Sequence, residues 1–441
     1  MKMSNVRRIV KLLSLFLLIQ ANFARQYSCT IGEEKLCTFR DVQLKASNQA
    51  EQAQFSSPAS GPSVRNVKFD SSSLTQFPAV LFRNIPDLEL VDVSFSDIKH
   101  FTKESLAGAG KLRELNLTGN KISELESNLF EETSKLNSLD LTQNSINSVK
   151  PNAFKGLRQL KVLNLGSNQI TSLPSKIFVP LESLETVELQ NNKLSQLDDT
   201  TFATCRSIVS VNVSHNELQS FDLQQLQQEY SVDAVDVSFN KLKSVNIPEN
   251  LRKLVASNNQ IQSLTVTGKN PALIFLRLSH NKLTSIDQVP NFNKLVTLDL
   301  SNNQLTSFDF RSINKFKGLI LLKLDGNQLS SISNTLTSDA THLKYIHLSR
   351  NQLTHLDLDI LRTVPRIITL NLSHNKLVQM TAKKINDKFP VLVRMMLEGN
   401  DFRCDKIADL QKELKQTFTE YKVEVDKCKK GQRLSNGICC S

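Results

Sequence analysis

Nowhere does this 441-residue chain gather the side chains that a catalytic centre needs. It has no His/Cys/Asp/Glu cluster at metal-ligand spacing, no glycine loop of the phosphate-cradling kind and no nucleophile elbow, so neither an enzyme nor a cofactor is expected. It also has no Lys/Arg run interleaved with aromatics, which argues against nucleic acid as a partner. Beyond the first two dozen residues no apolar stretch reaches the roughly 20 residues of a membrane span, and the last residues lack the tail of a lipid-anchor signal. The one early apolar run, Leu12–Ile19, is short, follows Lys2, Arg7, Arg8 and Lys11, and leads to a small-residue site ending at Ala24. That order reads as a secretory signal peptide over residues 1–24 and predicts a soluble, secreted, extracellular product. Its removal lowers the formal charge from +11 to +7, a mild excess that favours anionic surfaces such as glycans or microbial envelopes.

What the chain has is period. Segments such as LRELNLTGNKI (112–122), LVTLDLSNNQL (295–305) and IITLNLSHNKL (367–377) repeat the pattern L-x-x-L-x-L-x-x-N-x-L at about every 24 residues. This is the leucine-rich repeat. One unit of that size cannot bury its own apolar side, so neighbours must stack. The template lays down fifteen copies, with the asparagine position at Ser72, Ser96, Asn120, Asn144, Asn168, Asn192, Asn216, Asn240, Asn259, Asn281, Asn303, Asn327, Asn351, Asn375 and Asn400. Ser72 and Ser96 interrupt the series at its start, where edge repeats face a cap instead of a neighbour.

In each copy the fourth and sixth positions point inward, as Leu139 and Leu141 or Val235 and Val237 do, because side chains alternate along a strand. The asparagine amide, with two donors and an acceptor, suits the buried turn that follows. The fold expected is therefore an α/β leucine-rich-repeat solenoid over residues 63–402, with a curved parallel β-sheet on its concave face. Its convex face is irregular, 3-10 or short helical, and its caps are stapled by cysteines. Fifteen strands give a sheet on the order of 70 Å along the arc, a protein-sized surface. The spacing drops to 19 residues at Asn240–Asn259, where Ala256 replaces Leu or Val, and this short copy predicts a local change of curvature.

Residues 25–62 read as an N-terminal cysteine cap and polar loop, with Lys45–Pro62 mobile for want of large apolar residues. Residues 403–441 read as a C-terminal helical cap with a cysteine tail. There Ile407, Leu410, Leu414 and Phe418 fall at helical spacing, followed by the alternating Tyr421–Val425. Seven cysteines in a secreted chain imply disulfides. Cys29 and Cys37 flank one end of the repeats and Cys404 and Cys428 the other, and each pair is expected to staple one cap. Cys205 stands where Leu157 stands in an earlier copy and reads as a buried free thiol. The adjacent Cys439 and Cys440 leave three options open: a bond between neighbours, pairing with distant cysteines of the same cap, or a disulfide-linked dimer with a second molecule.

Three N-x-S/T sequons, at Asn116, Asn212 and Asn371, all occupy the fifth, outward position of their copies and are candidates for glycosylation. Between the last two lies a broad sequon-free stretch whose outward residues include Phe239, Phe275, Arg277, Leu321, Lys323, Tyr345, His347 and Arg350. Aromatic and arginine side chains of this kind dominate interface energetics, which makes them candidates for binding a partner. Earlier copies put Asp92, Asp140, Glu188 and Asp236 at the fifth position, giving a face that is acidic early and more basic late. His215, His280 and His374 recur beside the structural Asn and read as repeat-compatible polar residues.

Four segments resemble the secreted leucine-rich-repeat immune proteins of the mosquito complement-like (LRIM/APL) family: YSCTIGEEKLCTFRDV (27–42), the short copy with IPENLRKLVASNN, NDFRCDKIADL (400–410) and GQRLSNGICCS (431–441). The residues that match family features are Cys29, Cys37, Cys404, Cys428, Cys439 and Cys440. In that family a double cysteine closes the repeat domain and a long coiled coil follows in the best-known members, so this chain looks like a coil-less or shortened member. The resemblance implies a soluble factor of insect innate immunity whose surface meets a complement-like thioester protein, a sister repeat protein or a microbial surface. A matrix or developmental adhesion protein on the same scaffold is the alternative. Expression induced by infection would favour the first, and steady expression in embryos the second.

Overall fold

Each predicted copy contributes one short strand at its L-x-L segment. A computed structural model describes residues 25–32, 36–44, 52–57, 63–226, 232–337, 339–340, 342–381, 384–417, 428–435 and 438–441. The predicted signal peptide, Phe418 and Tyr421–Val425 lie outside the described residues. Two units are distinguished: the first is Met1–Leu194 with Thr200–Ser207, the second Ser195–Asp199 with Ile208–Ser441.

In the first unit a parallel ladder runs from Leu36–Arg40 through Asn66–Asp70, Leu90–Asp92, Glu114–Asn116, Ser138–Asp140 and Val162–Asn164 to Thr186–Glu188. Leu139 faces Leu115 on one side and Leu163 on the other, so the register advances by one repeat per strand. In the second unit the ladder runs through Ser210–Asn212, Ala234–Asp236, Lys253–Val255, Phe275–Arg277, Thr297–Asp299, Leu321–Lys323, Tyr345–His347, Thr369–Asn371 and Arg394–Met396. Fourth-position residues such as Leu115, Leu276 and Ile346 are buried while their neighbours are not, as alternation demands. The short copy keeps its register, Val235 opposite Leu254; the five missing residues are taken from the far side, where Ser244–Ile247 pairs directly with Ser263–Val266.

Opposite the sheets the chain forms 3-10 turns at Lys103–Leu106, Leu223–Leu226, Ile286–Gln288, Phe310–Lys315 and Leu358–Leu361, and a short α-helix at Val80–Asn84. Asp309 and Asp357 start two of these turns by accepting the N–H two residues on, at 2.8 and 3.0 Å. In the first unit the buried rings of Phe101, Phe130, Phe154, Phe178 and Phe202 follow one another at 5.4–6.2 Å.

Within each unit the asparagines form the ladder that their chemistry predicts. Asn144 Oδ1 accepts the Ile122 N–H at 3.1 Å, and its Nδ2 donates to the carbonyls of Leu117 (2.9 Å) and Leu141 (3.1 Å). Asn168 and Asn303 repeat the scheme. A second regularity was not read from the sequence: the residue before the ladder position has positive φ in all fifteen copies, from Ser71 through Phe95, Gly119, His215, Phe239 and Arg350 to Gly399. The three histidines of the S-H-N turns occupy this position.

The caps depart from expectation in three ways. Cys404 is bonded to Cys440 and Cys428 to Cys439, so the expected Cys404–Cys428 staple is replaced by one bond spanning 36 residues and one spanning 11. The chain end folds back as the hairpin Arg433–Ser435 with Ile438–Cys440, which brings the double cysteine to both partners. This also consumes the thiols considered for a covalent link to a second molecule. At the other end Cys29 is bonded to Cys37. Within the supposed polar loop Lys45–Pro62, Gln54–Ser56 is a strand paired with Gln26–Ser28, and Ala53 and Phe55 are buried. Phe55 packs against Tyr27, Phe39 and Phe69, an apolar anchor that the polar composition around it concealed. The helix Ala408–Thr417 follows the last repeat, with Ile407 and Leu410 buried. Among the described residues no helix is long and apolar enough to cross a membrane.

Candidate functional site

The outward rows of the second unit's sheet hold most of the predicted binding residues. Phe275 and Arg277 share a strand, with the guanidinium 5.3 Å from the ring centroid and the Lys253 ammonium 5.5 Å away. Arg277 Nε is 3.6 Å from Asp299 Oδ2, whose other oxygen accepts the N–H (3.0 Å) and hydroxyl (2.6 Å) of Ser301. Asp299 is thereby fixed from below and holds Arg277 against Phe275. In the next strands Leu321 lies opposite Tyr345 and Lys323 opposite His347. Tyr345 is 36 % exposed, and Leu321, Lys323 and His347 are half-buried. Burial holds His347 below its ordinary value of 6.5 and Lys323 pushes the same way, against the pull of Asp325 and Asp299.

Phe239 and Arg350 are placed differently. Both occupy the positive-φ position at the strand ends, and Phe239 stacks on His215 at 4.0 Å between ring centroids, away from the Phe275–Tyr345 group. Six contributors escaped sequence reading. Lys253 and Asp299 brace the pair Phe275–Arg277, and the second-position residues Ile274, Val296, Ile320 and Ile368 line the strand starts, Val296 being 39 % exposed. The same second position in the first unit carries charges, with Arg65 and Arg113 both paired to Glu89 and Lys161 to Glu185. The second unit also carries a charged pair at this position, Arg252 with Asp233 at 2.9 Å, so the row runs apolar only from Ile274 on, with Lys344 as the exception.

The acids at the fifth position have a structural task. Asp92, Asp140 and Asp236 each accept the N–H two residues on, at 2.8–2.9 Å, closing the turn out of the strand. The sequon residues Asn116, Asn212 and Asn371 do the same at 3.0 Å. In the early acidic face Asp92, Asp140 and Asp236 are therefore turn caps.

The leucine rich repeat family matches residues 62–122, 134–194, 182–242 and 317–377, more than half of the chain, and its two-copy form matches 271–315. The chain is a leucine-rich repeat protein. Among solved structures this leucine-rich repeat chain is similar to the LRIM1/APL1C complex at 24 % identity, over 95 % of this chain and 71 % of that one, with a TM-score of 0.72. It is likewise similar to the APL1 leucine-rich repeat domain at 24 % identity, over 94 % and 99 %, with a TM-score of 0.69. The Drosophila Toll–Spatzle complex follows at 19 % identity, over 86 % and 64 %, with a TM-score of 0.56. Likeness at these identities establishes the fold. No curated protein matches the chain in sequence.

Proposed function

We propose that this leucine-rich repeat chain is an exported, non-enzymatic binding protein of insect innate immunity, and that the sheet of its second unit docks a protein partner. The observation that carries the reading is the Phe275–Arg277 pair, held by Asp299 and followed along the same row of the sheet, beyond Thr297, by Leu321 and Tyr345. A half-buried aromatic and a pre-positioned arginine on the same face as apolar side chains have the composition of a typical interface hot spot. Support for the immune setting comes from the LRIM/APL-like motifs at both caps, since two of the similar folds bear the LRIM and APL names. One of those structures is a complex of two such chains, which favours a sister leucine-rich repeat protein as the partner. A complement-like thioester protein and a microbial surface are the other outcomes of the same test. With both cysteines of the tail bonded within the chain, the association is non-covalent.

The test is recovery of partners from haemolymph by the secreted protein and by an Arg277→Ala, Tyr345→Ala, His347→Ala variant. Truncating a hot-spot cluster costs about 2 kcal/mol or more per anchor, so recovery should fall well over tenfold. Undiminished recovery by a folded variant would remove the patch from the binding surface.

A further inference from the structure

Phe95 is the anomaly of the first unit. It holds a backbone φ of +51°, a region that bulky residues avoid, yet the residue is 67 % exposed. Strain that returns no burial calls for a compensating contact. The ring lies across Gly119 in the next turn, where an added Cβ would run into Cδ1 and Cε1 of Phe95. Glycine at 119 thus clears a seat for the ring and leaves its other face open.

The same turn carries a sequon, Asn116-Leu117-Thr118. Phe95 donates its N–H to the Thr118 carbonyl at 2.8 Å, and Thr118 donates its own N–H to Asn116 Oδ1 at 3.0 Å. The Asn116 oxygen is thus committed to the turn, while its Nδ2 has no partner among the described residues and Asn116 is half-exposed. Asp92, three residues before Phe95, lies opposite Asn116 in the ladder, so the turn bearing the amide is the one on which the ring rests. Asn371 has no such neighbour, because the equivalent residue of the preceding turn is Arg350.

We infer that Asn116 carries an N-linked glycan whose first N-acetylglucosamine packs on the open face of Phe95. The electron-rich face of the ring attracts the polarised C–H bonds of the pyranose. In the transfer the Asn116 amide nitrogen forms a C–N bond to C1 of the first sugar of a lipid-linked oligosaccharide. The bond from C1 to the lipid diphosphate oxygen breaks, its electron pair leaves with the diphosphate, and the amide proton passes to the transferase. The inference rests on the reading that the chain is exported.

The full chain secreted from insect cells tests it by glycopeptide mapping and thermal melts before and after enzymatic removal of the glycans. Phe95→Gly serves as the partner variant because glycine adopts φ +51° without strain, and Phe95→Tyr as the rescue. Asn116 should be occupied, and deglycosylation should lower the melting midpoint of the native chain and of Phe95→Tyr by about 2–4 °C more than that of Phe95→Gly. The conversion of Asn116 to Asp on deglycosylation is common to all three and cancels in the comparison. An unmodified Asn116 in secreted protein that bears sugar at Asn371 would overturn the inference alone, as would equal midpoint shifts in all three. A chain retained in the cell without any glycan would overturn the export reading and this one with it.

Discussion

Replacing Asn144 by Ala tests the central structural argument. The substitution deletes the acceptor of the Ile122 N–H and two donors, to the carbonyls of Leu117 and Leu141. Those losses are unequal. The Leu117 carbonyl still receives Asn120 Nδ2 at 2.8 Å and the Leu141 carbonyl still receives Asn168 Nδ2 at 3.0 Å, because each sixth-position carbonyl serves two successive asparagines. Only the Ile122 N–H is orphaned, in a residue 1 % exposed. An unsatisfied buried donor costs about 1–3 kcal/mol and each lost carbonyl bond about 1 kcal/mol more, so the expected destabilisation is about 3–5 kcal/mol. Asn144→Ser should cost less, since a hydroxyl can reach a nearby carbonyl as Ser96 Oγ does that of Ser94, at 3.1 Å. The chain has no tryptophan, so urea unfolding is best followed by far-ultraviolet circular dichroism, with hydrogen exchange resolving the Ile122 amide. A loss below about 1 kcal/mol with unchanged protection at Ile122 would refute the ladder as a stabilising element.

Burial pushes the Cys205 thiol up to about 12, and the six cap cysteines are bonded. Thiol titration of unreduced protein should therefore find no reactive group in the native state and one after denaturation; rapid native labelling would contradict both assignments. His347 has its folded value below 6.5, so folding excludes a proton as the pH falls from that value; stability should decline there and level off below the folded value. His347→Asn should flatten that part of the stability curve, and an unaltered slope would assign it to other groups. Phe154→Ala, in the middle of the ring series, should cost about 3–5 kcal/mol by denaturant unfolding, and a loss under about 1 kcal/mol would show that the neighbouring rings collapse into the gap. Arg277→Asn should leave stability within about 1 kcal/mol of the native chain, because the half-exposed guanidinium loses a weak ion pair and ring contact while buried Asp299 keeps the N–H and hydroxyl of Ser301. Partner recovery should nevertheless fall, and undiminished recovery would exclude Arg277 from the interface.

The repeat was legible because its signal is redundant. Any one of Leu112, Leu115, Leu117 and Asn120 is ambiguous, but fifteen registered copies are not, and the strands fall at the expected L-x-L segments. The caps lack that redundancy. Cys404 has three possible partners in the tail, and only the Arg433–Cys440 hairpin, a long-range arrangement, selects Cys440. Phe55 was hidden for a similar reason, as a single apolar residue in a Ser/Gln/Pro stretch gives no period, yet one aromatic side chain suffices to anchor a strand. The positive φ before every ladder residue escaped because glycine and asparagine, its usual markers, occur there together with Phe95, Phe239 and Arg350.

The fifth position explains why candidate binding residues cluster where they do. In Asp92, Asn116, Asp140, Asn212, Asp236, Asp299 and Asn371 the side-chain oxygen closes the turn two residues on, so these outward residues serve the fold first. Val255, Arg277, Lys323 and His347 have no such duty. At His347 the cap is supplied from the preceding turn, where Asp325 Oδ1 accepts the N–H and hydroxyl of Ser349 at 3.0 and 2.6 Å. A sequence that substitutes the local cap while providing a remote one has separated the structural task from the outward side chain. Protein surfaces give up such stabilising local bonds where another interaction needs the position. On the docking reading proposed above, the run from Val255 to His347, interrupted only by the brace Asp299, is the part of the second unit's sheet that would serve a partner.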